Sequence, residues 1–340
     1  MSNIYDIAEK TGFSPSTVAR ALRDKGNVGK DTKAKILAAA EGMSYTPTHA
    51  ARSLRNKKTN NILMCIPDLY NPFYFNLIKG ASDVLESQGY HIVLCHSKRD
   101  LQEELKIINM LKERYGDGIL FLTFDLNETN VQALMGTRLP VVTTNLTPRD
   151  SLIDYVHVDQ EKAMYLATCH LIEMGHTKIG VLIGDMNEQN SYERFEGHSR
   201  AMKEHGLAVR NDLTIVSNFT REHARLVMND FFNSSKNKGK MTAIAAANTL
   251  MGIGCLDACA ENGILIPNDL SVISLDDTDV TTCTSPRLSV IDMLQEEIGK
   301  KAALLLLEQI KGRKQKRKAE LIEPRLISRE SVKRLKLVNK

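Results

Sequence analysis

Three short stretches near the start of the chain repeat apolar residues at helical spacing, and the rhythm changes after residue 60. In the first, Ile4, Ile7 and Ala8 share a face; Asn3 with Asp6 three residues on marks a capped start, and Gly12 marks the stop. In the second, "FSPSTVARALRD" (13–24), Ser14 can cap and Pro15 suits a first turn whose N–H has no partner. Phe13, Val18 and Leu22 then face inward, leaving Ser16, Thr17, Arg20 and Arg23 outward. A third helix is expected from about Lys30 to Met43, with Ile36 and Leu37 inward. Two helices joined by a short turn and closed by a third make an all-α helix-turn-helix arrangement over 1–46.

The next segment, 47–60, behaves differently. It opens on Pro47 and a possible Thr48 cap, but its apolar side is only Ala50, Ala51 and Leu54. That is too little burial to hold an isolated helix in water, so the segment is expected to order only against a partner. From Asn61 to Lys340, short apolar runs such as "NILMCIP", "HIVLCHS", "GILFLT", "PVVTTN", "KIGVLIG", "TIVSN", "TAIAAAN" and "LSVISL" alternate with helical stretches. Buried strands alternating with helices predict α/β architecture with parallel sheets covered on both faces. The number of runs favours two sheets over one.

Charge is divided along the same lines. The first 60 residues carry 11 Lys/Arg against 5 Asp/Glu, whereas the remainder carries 34 against 36. A basic head on a near-neutral body predicts a polyanionic partner for the head, and Arg52, Arg55, Lys57 and Lys58 extend that charge into the linking segment. The six cysteines form no CxxC pair, which fits reduced thiols. The first 20 residues are charged and polar, so no secretory leader is expected and a cytoplasmic location is; no membrane partner is expected either.

Three stretches in register, "IYDIAEKTGFSPSTVARAL", "VGKDTKAKILAAAEGMSYTP" and "AARSLR", resemble the lactose-repressor (LacI/GalR) family of bacterial transcription regulators, as does "LIEPRLISRES" (321–331). The resemblance implies a helix-turn-helix DNA-binding head (1–46), a hinge helix and linker (47–60), and a two-lobed periplasmic-binding-protein-like (type I) body (61–340). It implies an N-lobe of about 61–160 and 292–323, and a C-lobe of about 161–291 and 324–340. It further implies a homodimeric regulator, most simply a repressor, on a near-palindromic double-stranded DNA operator, without a cofactor. Carried over, Pro15, Ser16 and Arg20 take base-reading positions, and a bidentate Arg20–guanine contact discriminates by about 1–3 kcal/mol. Tyr5, Thr17, Asn27 and Tyr45 fall near phosphates; Thr48, Ala51 and Leu54 belong to the hinge, with Leu54 as a minor-groove wedge. Pro15 has no side-chain donor and Gly29 stands where a Ser commonly caps, two departures from the family pattern.

For the body, the resemblance places Asn71, Phe73, Tyr74, Asn145, Arg194, Asn248 and Asp276 around a small-molecule effector between the lobes. Residues just after sheet strands are also where open α/β sheets bind ligands. A planar guanidinium and acceptor carboxylates suit a sugar, whose hydroxyls both donate and accept. Ala245 stands where a purine-binding relative carries an aromatic, which counts against a purine. Control by a protein such as a phosphorylated carrier is a further alternative, although Leu304 and Glu308 occupy places where basic residues are expected for it.

Other classes fit less well. "DDTD" (276–279) is the only stretch resembling a metal-binding carboxylate cluster, and P-loop, HExxH and GxSxG motifs are absent, so no enzyme is expected. A sugar-binding protein without DNA binding would not need the basic head. "KGRKQKRK" (311–318) reads as a solvated helix end rather than a second nucleic-acid patch.

Overall fold

The computed structural model describes residues 3–22, 28–43, 45, 58–148, 150–237, 239–312 and 316–335, and the chain divides into two compact units, 1–59 and 60–340. In the head, α1 (Ile4–Thr11) begins with a reciprocal cap: Asn3 Oδ1 accepts from the Tyr5 and Asp6 amides, and Asp6 accepts from the Asn3 amide at 2.7 Å. Gly12 ends it with φ +72°, a conformation glycine adopts without steric cost. Helix α2 (Pro15–Ala21) starts on Ser14, whose hydroxyl accepts from the Thr17 amide, while α3 (Lys30–Gly42) starts on Gly29 with no side-chain cap. Their shared core is Ile7, Ala8, Val18, Ala21, Ile36 and Ala40. Leu37, expected inward, is 43% exposed. Ala40, one turn beyond Ile36, takes the inward place instead because positions i and i+4 share a helix face.

The body holds two six-stranded sheets. The N-lobe sheet is built from β1 (Asn61–Ile66), β2 (His91–His96), β3 (Gly118–Phe121), β4 (Val141–Thr143) and β5 (Asp154–Val158), with β11 (Ala319–Ile322) at its edge; all its pairings are parallel. The C-lobe sheet contains β6 (Ile179–Ile183), β7 (Thr214–Val216), β8 (Ala243–Ala246), β9 (Ser271–Leu275) and β10 (Ser289–Asp292), with β12 (Arg325–Ile327) antiparallel at its edge. The chain changes sheets three times: after Val158, after Asp292, and between Ile322 and Arg325. Strands β5, β10, β11 and β12 went unmarked by the apolar runs. They are three to five residues long and mix polar with apolar positions, so their sheet partners define them rather than their local pattern.

Helices cover both faces: α4 (Phe73–Ser87), α5 (Leu101–Lys112), α6 (Glu128–Met135) and α12 (Gln295–Ile310) in the N-lobe, and α7 (Gln160–Glu173), α8 (Gln189–Glu204), α9 (Arg221–Asn233), α10 (Thr249–Glu261) and the short α11 (Asp279–Thr282) in the C-lobe. Three helix pairs cross at glycine. A Cβ at Gly299 would lie 2.1 Å from the Leu77 carbonyl oxygen, one at Gly197 2.0 Å from that of Glu161, and one at Gly254 2.3 Å from that of Arg221. Gly254 is thus a packing glycine. No helix among the described residues is long and apolar enough to cross a membrane.

Candidate functional site

Helix α2 presents a polar outer face. Pro15, Ser16 and Arg20 are exposed, Thr17 is half-buried, and Val18 and Ala21 are turned into the head core. The Ser14, Ser16 and Thr17 hydroxyls cluster at the helix start, with Ser14 Oγ 2.8 Å from Ser16 Oγ and 2.9 Å from Thr17 Oγ1. They sit where unpaired amides and the helix dipole favour an anion. Arg20 Nε donates to the Ser16 carbonyl at 3.4 Å, holding the guanidinium over the same face. Tyr5 is 69% exposed, whereas Tyr45 packs against the head core. Asn27, Thr48, Ala51 and Leu54 lie outside the described residues.

In the body, all seven residues expected at an effector site line one cleft between the lobes: Asn71, Phe73, Tyr74, Asn145, Arg194, Asn248 and Asp276. Strand and helix ends put them there. Asn71 Oδ1 accepts from the Phe73 amide and so fixes the start of α4, which carries Phe73 and Tyr74. Asn145 follows β4 and donates to the Thr123 carbonyl at 3.0 Å. Asn248 caps α10 through the Met251 amide and donates to the Phe219 carbonyl at 3.1 Å.

Arg194 and Asp276 are the charged pair of the cleft, 8% and 3% exposed. Arg194 donates to Gln160 Oε1 from Nε (2.9 Å) and Nη2 (2.7 Å), and to the Ala247 carbonyl from Nη1 (2.9 Å). Both acceptors are neutral, so two of its five N–H groups are left for a ligand. Asp276 sits just after β9 with φ +72°, held by its amide to the Ile291 carbonyl and by its own carbonyl, which accepts from Thr249 Oγ1 at 2.7 Å. Its Oδ1 is buried without a partner. Burial raises the carboxyl to about 6, with the Arg194 charge opposing that rise. A buried acceptor beside a buried donor array, both unsatisfied in part, can bind a molecule offering adjacent hydroxyl or N–H groups.

Sequence reasoning did not single out Thr123, Phe124, Gln160, Asn190 or Phe219, which also line the cleft. Thr123, Phe124 and Phe219 lie within a few residues of strand ends, so the strand-end rule contained the signal; Gln160 stands two residues after β5, a strand the apolar runs left unmarked. One other expectation is corrected. Ala245 is wholly buried within β8 and does not line the cleft, so its size says nothing about the ligand. Within "DDTD", Asp277 Oδ1 accepts from Arg329 Nη2 at 2.7 Å, and no cluster of metal-ligating side chains occurs among the described residues. In the 311–318 stretch Arg317 donates to the Thr147 carbonyl and Lys318 pairs with Glu308, so both are engaged within the fold.

An outward-facing second helix on a small head, and a two-lobed body with a polar cleft between its lobes, define a ligand-controlled DNA-binding regulator. Comparison with known proteins agrees. Residues 3–48 match the model of bacterial regulatory proteins of the lacI family, and residues 168–332 match that of the periplasmic binding protein-like domain. The chain is 32% identical over 336 residues to the HTH-type transcriptional repressor PurR of Photobacterium profundum, covering 98% of this chain and all of that one. Among solved structures it superposes on the lac repressor dimer bound to operator and the anti-inducer ONPF with a TM-score of 0.83 at 20% identity, over 98% of this chain and 99% of that one. It superposes on the transcriptional regulator CelR–cellobiose complex with a TM-score of 0.73 at 23% identity, over 97% of this chain and all of that one. The chain belongs to the lacI family of bacterial regulatory proteins, which are transcription regulators and not enzymes.

Proposed function

We propose that this regulator is a repressor that binds a near-palindromic operator as a homodimer, and that a sugar or sugar derivative held between the lobes controls its grip on DNA. The observation that carries the effector half is the buried Arg194–Asp276 arrangement, which leaves a carboxylate oxygen and guanidinium N–H groups unpartnered at the centre of the cleft. Neighbouring hydroxyls of a sugar satisfy both at once, and the faces of Phe73, Phe124 and Phe219 suit its C–H surface. On DNA, Ser16 and Arg20 read base edges, Tyr5, Thr17, Asn27 and Tyr45 meet the backbone, and Leu54 of the 47–60 hinge enters the minor groove with Thr48 and Ala51 beside it.

A second reading, a planar heterocycle such as a purine, is favoured by the aromatic rings that line the cleft. Thermal unfolding against a panel of sugars, sugar phosphates, nucleosides and purines separates the two. A ligand at 100 times its Kd adds about 2.7 kcal/mol of stability, so a shift with a sugar supports the first reading and a shift with a purine replaces it. On DNA, Arg20→Ala is expected to relax selectivity at one symmetric base pair by about 1–3 kcal/mol, whereas a uniform loss over all sequences reassigns Arg20 to the backbone. Leu54→Ala is expected to weaken operator binding and leave effector binding intact.

A further inference from the structure

Beside the cleft, residues 97–100 form a turn closed by the Asp100 amide donating to the Ser97 carbonyl at 3.0 Å. Both central residues, Lys98 and Arg99, have positive φ, +59° and +58°. Hairpin-type turns of that shape normally place Asn and Gly there, because at positive φ a Cβ crowds the following carbonyl oxygen. The turn cannot relax, since both ends are pinned. The Ser97 amide donates to the Ile66 carbonyl, and Asp100 Oδ1 caps α5 through the Glu103 amide. Strain held in this way is worth a functional question.

What the turn does is aim Arg99 across the cleft. Its guanidinium lies 3.8 Å from the centre of the Phe124 ring and donates from Nη2 to Asp68 Oδ2 at 3.3 Å, both on the N-lobe. Its Nη1 donates at 3.2 Å to the backbone carbonyl of Asn218, which belongs to the C-lobe. The receiving loop is equally fixed. Asn218 Oδ1 is taken up by the Thr220 amide and hydroxyl. Phe219 is held at φ +67°, its ring over Gly184, where a Cβ would lie 2.1 Å from the ring. The Phe219 carbonyl is tied to Asn248 at the cleft floor, and its ring lies 5.5 Å from that of Phe124.

We infer that Arg99 is a clasp joining the two lobes beside the cleft, so that parting the lobes there breaks its bond to the Asn218 carbonyl. The position demands arginine: a flat guanidinium stacks on one ring while separate N–H groups serve a carboxylate and a carbonyl, which an ammonium cannot do. This inference does not depend on what the cleft binds or on which DNA the head reads.

The chain contains no Trp, so Phe73→Trp, on the cleft wall and outside the Arg99 contacts, gives the full-length protein a single reporter. Adding Arg99→Ala is expected to raise acrylamide quenching of that Trp several-fold and shift its emission to the red. Arg99→Lys, which retains the charge opposite Asp68, is expected to fall between. Lys98→Gly retains the arginine and is expected to leave quenching unchanged. Equal quenching with and without Arg99, at unchanged circular dichroism, overturns the proposal. If the reporter chain does not fold, amide exchange of the reporter-free protein decides: residues 245–252 are expected to exchange faster in Arg99→Ala, and equal rates overturn the clasp.

Discussion

The two walls of the cleft are built on different principles. The N-lobe wall offers aromatic rings and amides, and Asn71 and Asn145 each spend a side-chain hydrogen bond on their own lobe. The C-lobe wall offers charge: Arg194 and Asp276 are buried, and neither forms an ion pair among the described residues. Burying a charge without a counter-ion costs free energy that a plain folding requirement would not retain. If the proposed effector binds here, the C-lobe holds the recognition energy in a form that the ligand recovers, and the N-lobe shapes the space around it.

The largest effect that sharpens this contrast is acid sensitivity. His170, His176 and His198 are buried in the C-lobe, His157 at the end of the N-lobe sheet, and burial lowers all four below the ordinary 6.5, with His198 at about 4. A group whose folded value is depressed contributes stability that is complete above its unfolded value and is lost as pH falls through the folded one. For His198 that is on the order of 3 kcal/mol, lost between about pH 6.5 and 4. Asp276 runs the other way, because its carboxyl is raised: its burial penalty is present above about pH 6 and disappears on acidification. The unfolding temperature is expected to drop across that window, and His198→Gln to flatten the drop. Because the raised carboxyls of Asp276, Glu104, Glu188 and Glu193 oppose the histidines, the comparison with the variant decides: equal slopes in the parent and His198→Gln would contradict the burial of the His198 ring.

Next comes Asp276→Asn, which removes the charge but keeps the shape. Effector affinity is expected to fall by about 1.5–3 kcal/mol while the unliganded protein becomes no less stable, read by calorimetric titration and thermal unfolding with the ligand that gives the largest shift. On the opposite wall, Asn145→Ala is expected to weaken binding by only about 1 kcal/mol. Equal losses at the two positions would erase the distinction between the walls. An effect of similar size is expected from Phe219→Leu, roughly 0.5–1.5 kcal/mol of affinity, since it trades an aromatic face for an aliphatic one without touching a polar contact.

Much of this was legible in the chain because it depends on local chemistry. The Asn3–Asp6 and Ser14 caps, the Gly12 stop and the long alternating runs are set by residues within a turn or two of each other. Leu37 was misplaced because one helical pattern admits two neighbouring faces, and only packing chooses between them. Strands β5 and β10 to β12 were missed because pairing with distant segments creates them. The seven effector residues came from family resemblance together with the strand-end rule. The Arg194–Gln160–Ala247 contacts and the Arg99 turn join residues 34 to 119 positions apart. Neither spacing nor composition encodes those.

The three changes of sheet have a consequence for synthesis. Each lobe lacks an edge strand until β11 and β12 have been made, so the ribosome must release nearly the whole chain before either sheet can close. The head, by contrast, is one uninterrupted stretch at the front of the chain, with its own caps and its own small core. It is able to fold while the body is still being translated, so a DNA-reading module can exist before the part that controls it.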